Sequence, residues 1–154
     1  MLMPHLINKI TFAIVFLTIA SCATTFAQRK PIITFEKTPC FGSCPVYQLE
    51  IYPNRKMKLL SVKYLNIGEG DFSAKLKKKD YQALIHAFHR IRFSELKDSY
   101  STQSVSDLPT RYLSFTEGEK TKTIMDYVGA PEELTQLEEK LQQLVDMARW
   151  KKSN

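Results

Sequence analysis

Cys40 and Cys44, four positions apart in the run Cys40-Phe41-Gly42-Ser43-Cys44-Pro45, are the residues of this chain best suited to do chemistry. In an oxidising compartment such a pair closes a disulfide; in a reducing one it reads as a thiol redox couple or a soft-metal site. As a disulfide it would stabilise the fold by roughly 2 kcal/mol through loop closure. Gly42 can take a positive φ in that turn, and Pro45 stiffens the chain beyond it. As a redox couple, or as a Cu(I) site of the kind formed by C-x-x-x-C-P runs in copper-delivery proteins, it would work through two thiolates. In those thioredoxin folds the pair opens a helix, whose N-terminus lowers the thiol pKa. Here Pro45 leads into residues 46–52, whose hydrophobic period is two. The spacing therefore predicts a structural disulfide ahead of metal or redox work.

The remaining candidates are weaker. His86 and His89 have the i, i+3 spacing of a helical zinc or copper chelate. Both fall away from the apolar stripe Tyr81, Leu84, Ile85, Phe88, and are expected at the surface. Asp107 and Asp126 could pair for acid–base catalysis. The expected roles are structural: an aspartate before Leu108-Pro109-Thr110 caps a turn, and one at a strand end ties a loop down. No phosphate-cradling glycine loop, H-E-x-x-H pair or nucleophile elbow occurs. The expectation is a protein that is not an enzyme and needs no cofactor or metal.

The compartment that decides the cysteine chemistry is written in the first residues. Lys9 closes a short basic region, and residues 10–20 (ITFAIVFLTIA) form an apolar stretch. That is about half the roughly 20 residues a membrane-spanning helix needs, and it suits a secretory signal. Two processing sites compete. Ile19-Ala20-Ser21-Cys22 resembles a lipobox, in which Cys22 is acylated and becomes the new N-terminus; Thr25-Phe26-Ala27 fits ordinary signal cleavage. Lipidation of Cys22 is preferred because it accounts for the odd total of 3 cysteines. Either way the chain is expected to be exported, as a membrane-anchored lipoprotein or as a periplasmic or secreted protein.

With residues 1–27 as signal and 28–31 as tether, residues 32–150 make a single domain. The formal charge is +6, and removal of Lys9 with the signal leaves +5. Lys75, Lys77, Lys78 and Lys79 form one basic run, and Lys56, Lys58 and Lys63 another. Export and the lack of an aromatic-interleaved motif argue against nucleic acid. A solvated basic face is the simpler account, with contact to anionic lipid or acidic glycan as its functional counterpart.

The elements that must position the cysteine loop follow from periodicity. Residues 32–37 alternate as a strand around Ile33 and Phe35, and residues 46–52 place Tyr47, Leu49 and Ile51 on one face. After a turn at Pro53-Asn54-Arg55, residues 56–64 return with Leu60, Val62 and Tyr64 sharing a face. A short segment at 72–74 follows Gly68-Glu69-Gly70-Asp71. Residues 80–91 form a helix, and Phe93, Leu96 and Tyr100 a packed connector. A second hairpin runs from 111 to 128 around a turn at 117–120. Pro131, Glu132 and Glu133 then open a last helix with the seam Leu134, Leu137, Leu141, Leu144, Ala148, and Lys151 and Lys152 suit its C-terminal end. The predicted class is α+β: an antiparallel sheet of about five strands with two helices on one face.

The run Cys40-Phe41-Gly42-Ser43-Cys44-Pro45-Val46-Tyr47, the connector 93–100, Asp107-Leu108-Pro109-Thr110 and Asp126-Tyr127-Val128-Gly129-Ala130-Pro131 together resemble an exported bacterial family, the domain of unknown function 6438. The resemblance covers residues 32–148 and departs at the first hairpin, where Pro53-Asn54-Arg55-Lys56 lacks the expected glycine. It implies no activity; it bears on fold and compartment.

The leading expectation is an exported envelope domain, a lipoprotein that binds rather than catalyses and is stapled by Cys40–Cys44. Its surface would include Phe41, Gly42, Asp107 and Thr110, since binding groups concentrate in loops. Its partner would be a protein or small molecule of unknown identity, with the membrane reached through Cys22 and no nucleic acid involved. The alternative is a thiol redox or copper-binding envelope protein that uses Cys40 and Cys44.

Overall fold

Alternation along the strands gives this chain one buried sheet face. Ile33 and Phe35, then Tyr47, Leu49 and Ile51, Met57 and Leu59, Leu113 and Phe115, and Ile124 all turn inward and are almost wholly buried. The computed structural model describes residues 30–101 and 107–153. The expected signal segment and Cys22 lie outside the described residues. The chain order is β1 (Ile33–Lys37), β2 (Val46–Ile51), β3 (Lys56–Lys63), β4 (Gly70–Lys75), α1 (Lys78–Arg90), a 3-10 turn (Phe93–Glu95), β5 (Ser99–Tyr100), β6 (Arg111–Glu117), β7 (Lys120–Asp126), α2 (Glu132–Met147) and β8 (Lys151–Lys152).

These strands form one sheet of 8 in the order β5-β7-β6-β1-β2-β3-β4-β8. Every pairing is antiparallel except β5 with β7, which is parallel. The class is α+β, and the sheet is wider than expected by β4, β5 and β8. The outermost two strands are two-residue edges, too short to show a period. Lys151 and Lys152, expected to end the last helix, instead pair with Ser73 and Phe72, because α2 stops at Met147.

Register corrects the expected face of β3. Tyr47 pairs with Ser61, Leu49 with Leu59 and Ile51 with Met57, and residues paired across a ladder share a face. Leu60, Val62 and Tyr64 are therefore exposed, at 43, 42 and 56% of their surface. The hairpin before β3 also explains the missing glycine. Arg55 donates its backbone N–H to the Tyr52 carbonyl and holds φ at +68°, the left-handed position a glycine ordinarily fills.

Both helices make side-chain contact with β6. Phe88 of α1 stacks on Phe115 with centroids 4.5 Å apart, and Glu138 of α2 pairs with Arg111, which lies four residues along the same strand. α1 starts two residues earlier than expected, at Lys78, with no side-chain cap. Pro131 stands at the N-cap of α2 rather than inside it, and Glu132 and Glu133 occupy its first turn. α2 runs across the strands: Glu138 meets β6 and β7, Gln142 meets β1 and β2, and Val145 reaches the chain just past β3.

Candidate functional site

The end of the sheet beneath the cysteine loop carries a row of polar side chains where the rest of the face is apolar. The ladder sets Asp126 beside Arg111, Arg111 beside Lys37, Lys37 beside Tyr47 and Tyr47 beside Ser61, one residue from each of five adjacent strands. All continue the inward alternation of their strands, so they face α2.

α2 answers this row with polar groups of its own. Arg111 Nη2 donates to Asp126 Oδ2 at 2.5 Å, and its Nε lies 3.0 Å from Glu138 Oε2. That second approach is close enough for attraction but not aligned as a hydrogen bond. Asp126 and Glu138 are 0 and 2% exposed. Burial pushes the Glu138 carboxyl up to about 8, against the pull of Arg111, and the neighbouring Asp126 raises it further. Both carboxyls thus crowd the single guanidinium of Arg111. Further along, Tyr47 Oη donates to Gln142 Oε1 at 2.7 Å and Lys37 Nζ to the same oxygen at 3.0 Å. Gln142 Nε2 in turn donates to Asp146 Oδ1 at 3.0 Å. Burial raises the Tyr47 hydroxyl pKa well above its usual value, and burial, followed by the Arg111 charge, lowers that of Lys37. The tyrosine of the C-F-G-x-C-P-x-Y run thus has a mechanical role. It pins the strand leaving the cysteine loop to α2.

Above this row lies the loop of residues 38–45. The Cys40 and Cys44 sulfurs are at bonding distance, with Cα atoms 5.8 Å apart, in the range a disulfide requires. Gly42 is not among the positive-φ glycines, and a Cβ there would meet only Cys40 Sγ at 3.9 Å, so the freedom expected of it is not used. The closed ring lifts Phe41 into solvent, 89% exposed. On one side the loop is tied to residues 107–110: Thr38 N–H donates to the Thr110 carbonyl at 3.0 Å and Thr110 N–H to Thr38 Oγ1 at 2.9 Å. Asp107 is exposed with φ at +73°, and Leu108 is 45% exposed. On the other side, Pro45 shares a recess of about 150 Å³ with residues 64–67, Val145 and Asp146. Tyr64 and Ile67 show 56 and 38% of their surface there.

The structure therefore brings Phe41, Gly42, Asp107 and Thr110 to one end of the sheet. The carboxyl that meets Asp126 and Arg111 is that of Glu138, which the sequence reading missed. The histidines lie at the other end, where His89 Nδ1 is 3.2 Å from Glu117, the last residue of β6. Cys44 leads through Pro45 into a strand, so the pair does not open a helix. Among the described residues, no group of three or more His, Cys, Asp or Glu side chains is arranged to hold a metal ion.

Residues 31–145 match the family described as "Domain of unknown function (DUF6438)". No curated protein and no solved structure matches the chain.

Proposed function

We propose that this chain, which belongs to the DUF6438 family, is an exported, lipid-anchored envelope domain that binds a partner through the loop end of its sheet and catalyses nothing. The observation that carries this is Phe41, 89% exposed on a disulfide-closed loop. Exposed apolar residues are ordinary when scattered. Here Phe41, Tyr64, Ile67 and Leu108 share one end of the molecule, on three loops that flank one another. A loop fixed by a covalent bond and two backbone hydrogen bonds loses little entropy on binding, which favours an aromatic anchor there. The polar row beneath is the support: it holds β1, β2, β6 and β7 to α2 at the point where the loops leave the sheet. Export is supported by the apolar segment at residues 10–20 and by the disulfide, which persists in oxidising compartments. Acylation of Cys22 would hold this surface close to the membrane.

Two substitutions separate binding from stapling. Cys40→Ser should lower stability by about 2 kcal/mol. Phe41→Ala, at a position already in water, should leave the unfolding midpoint unchanged. In a strain deleted for the protein, both variants should fail to restore the envelope phenotype of the loss. Full restoration by Phe41→Ala, even when combined with Leu108→Ala, would leave the loop a structural staple only.

A further inference from the structure

Away from the loops, α1 and the 3-10 turn pack on β6 through Phe88, Phe93 and Phe115. Towards β3 and β4, α1 and α2 line one recess together. Between them opens a cleft of about 670 Å³, within the range of small-molecule sites. Its floor is apolar: Met57 and Leu84 are buried beneath it, with Leu76 at its lower edge. It exists because Ala74, Ala83 and Ala148 line it with methyl groups where larger side chains would meet. Met147, 80% exposed, stands on its rim. The rim is otherwise basic. Lys75 and Lys77 approach from the β4–α1 connection and Lys140 and Arg149 from the α2 side, against the single acid Asp80.

We propose that this cleft binds a single long acyl chain carrying an anionic head group. An apolar trough gives no reason to select a small hydrophilic anion, and four cations against one carboxylate give no reason to select a neutral lipid. An amphiphile satisfies both: the chain lies over Met57, Leu84 and Leu144 while the head meets the rim. The site is separate from the loop surface and does not depend on it.

The test is fluorescence titration of the purified full chain with dansyl-undecanoic acid. Saturable binding is expected, displaced by oleate or oleoyl lysophosphatidate but at least tenfold less well by oleyl alcohol. The order of the first two competitors identifies a carboxylate or a phosphate head. Ala83→Trp, at an exposed position whose enlargement fills the trough, should abolish binding without changing the melting temperature. Lys140→Glu combined with Arg149→Glu should weaken it at least tenfold, and Phe41→Ala should bind as the native protein does. No saturable binding would overturn the proposal, as would equal displacement by oleyl alcohol or undiminished binding by Ala83→Trp.

Discussion

Glu138→Gln should be nearly silent near pH 4 and stabilising above pH 8, by an amount on the order of a few kcal/mol. In the folded protein the Glu138 carboxyl is pushed up to about 8, from an ordinary value of 4.5. Between those two values the unfolded chain has released a proton that the folded chain still holds. Stability then falls as pH rises, at up to about 1.4 kcal/mol per pH unit. Below pH 4.5 both states are protonated and the loss vanishes; above 8 both are ionised and it is fully present. A glutamine keeps the shape and the donor of the protonated acid but has nothing to titrate. Native and variant stabilities should therefore coincide in acid and diverge through neutrality. The groups facing Glu138 that could modify this are Arg111, Asp126 and Lys37, and all remain in the variant. Urea unfolding at pH 4.5, 6, 7.5 and 9 reads the divergence directly. Parallel pH profiles would show that Glu138 is ionised in the fold.

Arg111→Leu should be the most damaging single change at this end of the sheet, costing about 3–5 kcal/mol. Its guanidinium touches both buried carboxylates, whereas Lys37 acts on Glu138 only from further away. Removing it leaves Asp126 wholly buried and without a cation. That exceeds the roughly 2 kcal/mol expected from opening the disulfide. The penalty comes from stranded charge, so it should be largely recovered when the charge is removed as well. The triple variant Arg111→Leu, Asp126→Asn, Glu138→Gln should regain most of the lost urea midpoint with an unchanged denaturant slope. If the triple variant is no more stable than Arg111→Leu, the arginine acts through packing of its stem rather than through its charge.

These two groups also show what the sequence made legible. Strands β1, β2, β6 and β7 are readable because one face of each is clearly more apolar than the other. β3 offered two apolar sets, Met57 and Leu59 against Leu60 and Val62, and local alternation could not choose. The choice belongs to β2, whose Tyr47, Leu49 and Ile51 face the helices and fix the register across the ladder. β4 was visible only as a fragment, and β5 and β8 exist because edges of the sheet were available to two-residue segments.

The site was half legible. The cysteine loop and residues 107–110 could be named from their residue types, but the hydrogen bonds joining them span 72 residues of sequence and depend on β1 pairing with β6. Asp126 stood out as a residue expected to tie a loop down, and its neighbour Glu138 did not. A usable signal lay in α2: Glu138 falls four residues after Leu134 and three before Leu141, so a carboxylate sits inside the apolar seam. A charged residue on a buried helix face calls for an answering charge. Only the sheet order reveals that Arg111 supplies it.

The most direct measurement of the central claim is site-specific photo-crosslinking in the intact cell, with benzoyl-phenylalanine placed at position 41 and, separately, at position 60. Both positions are exposed and apolar, but Leu60 lies on the sheet face opposite the helices. A discrete adduct from position 41, absent from position 60 and diminished by Leu108→Ala, is the result expected of a loop-end binding surface. Equal labelling from both positions, or no adduct from position 41, would contradict it.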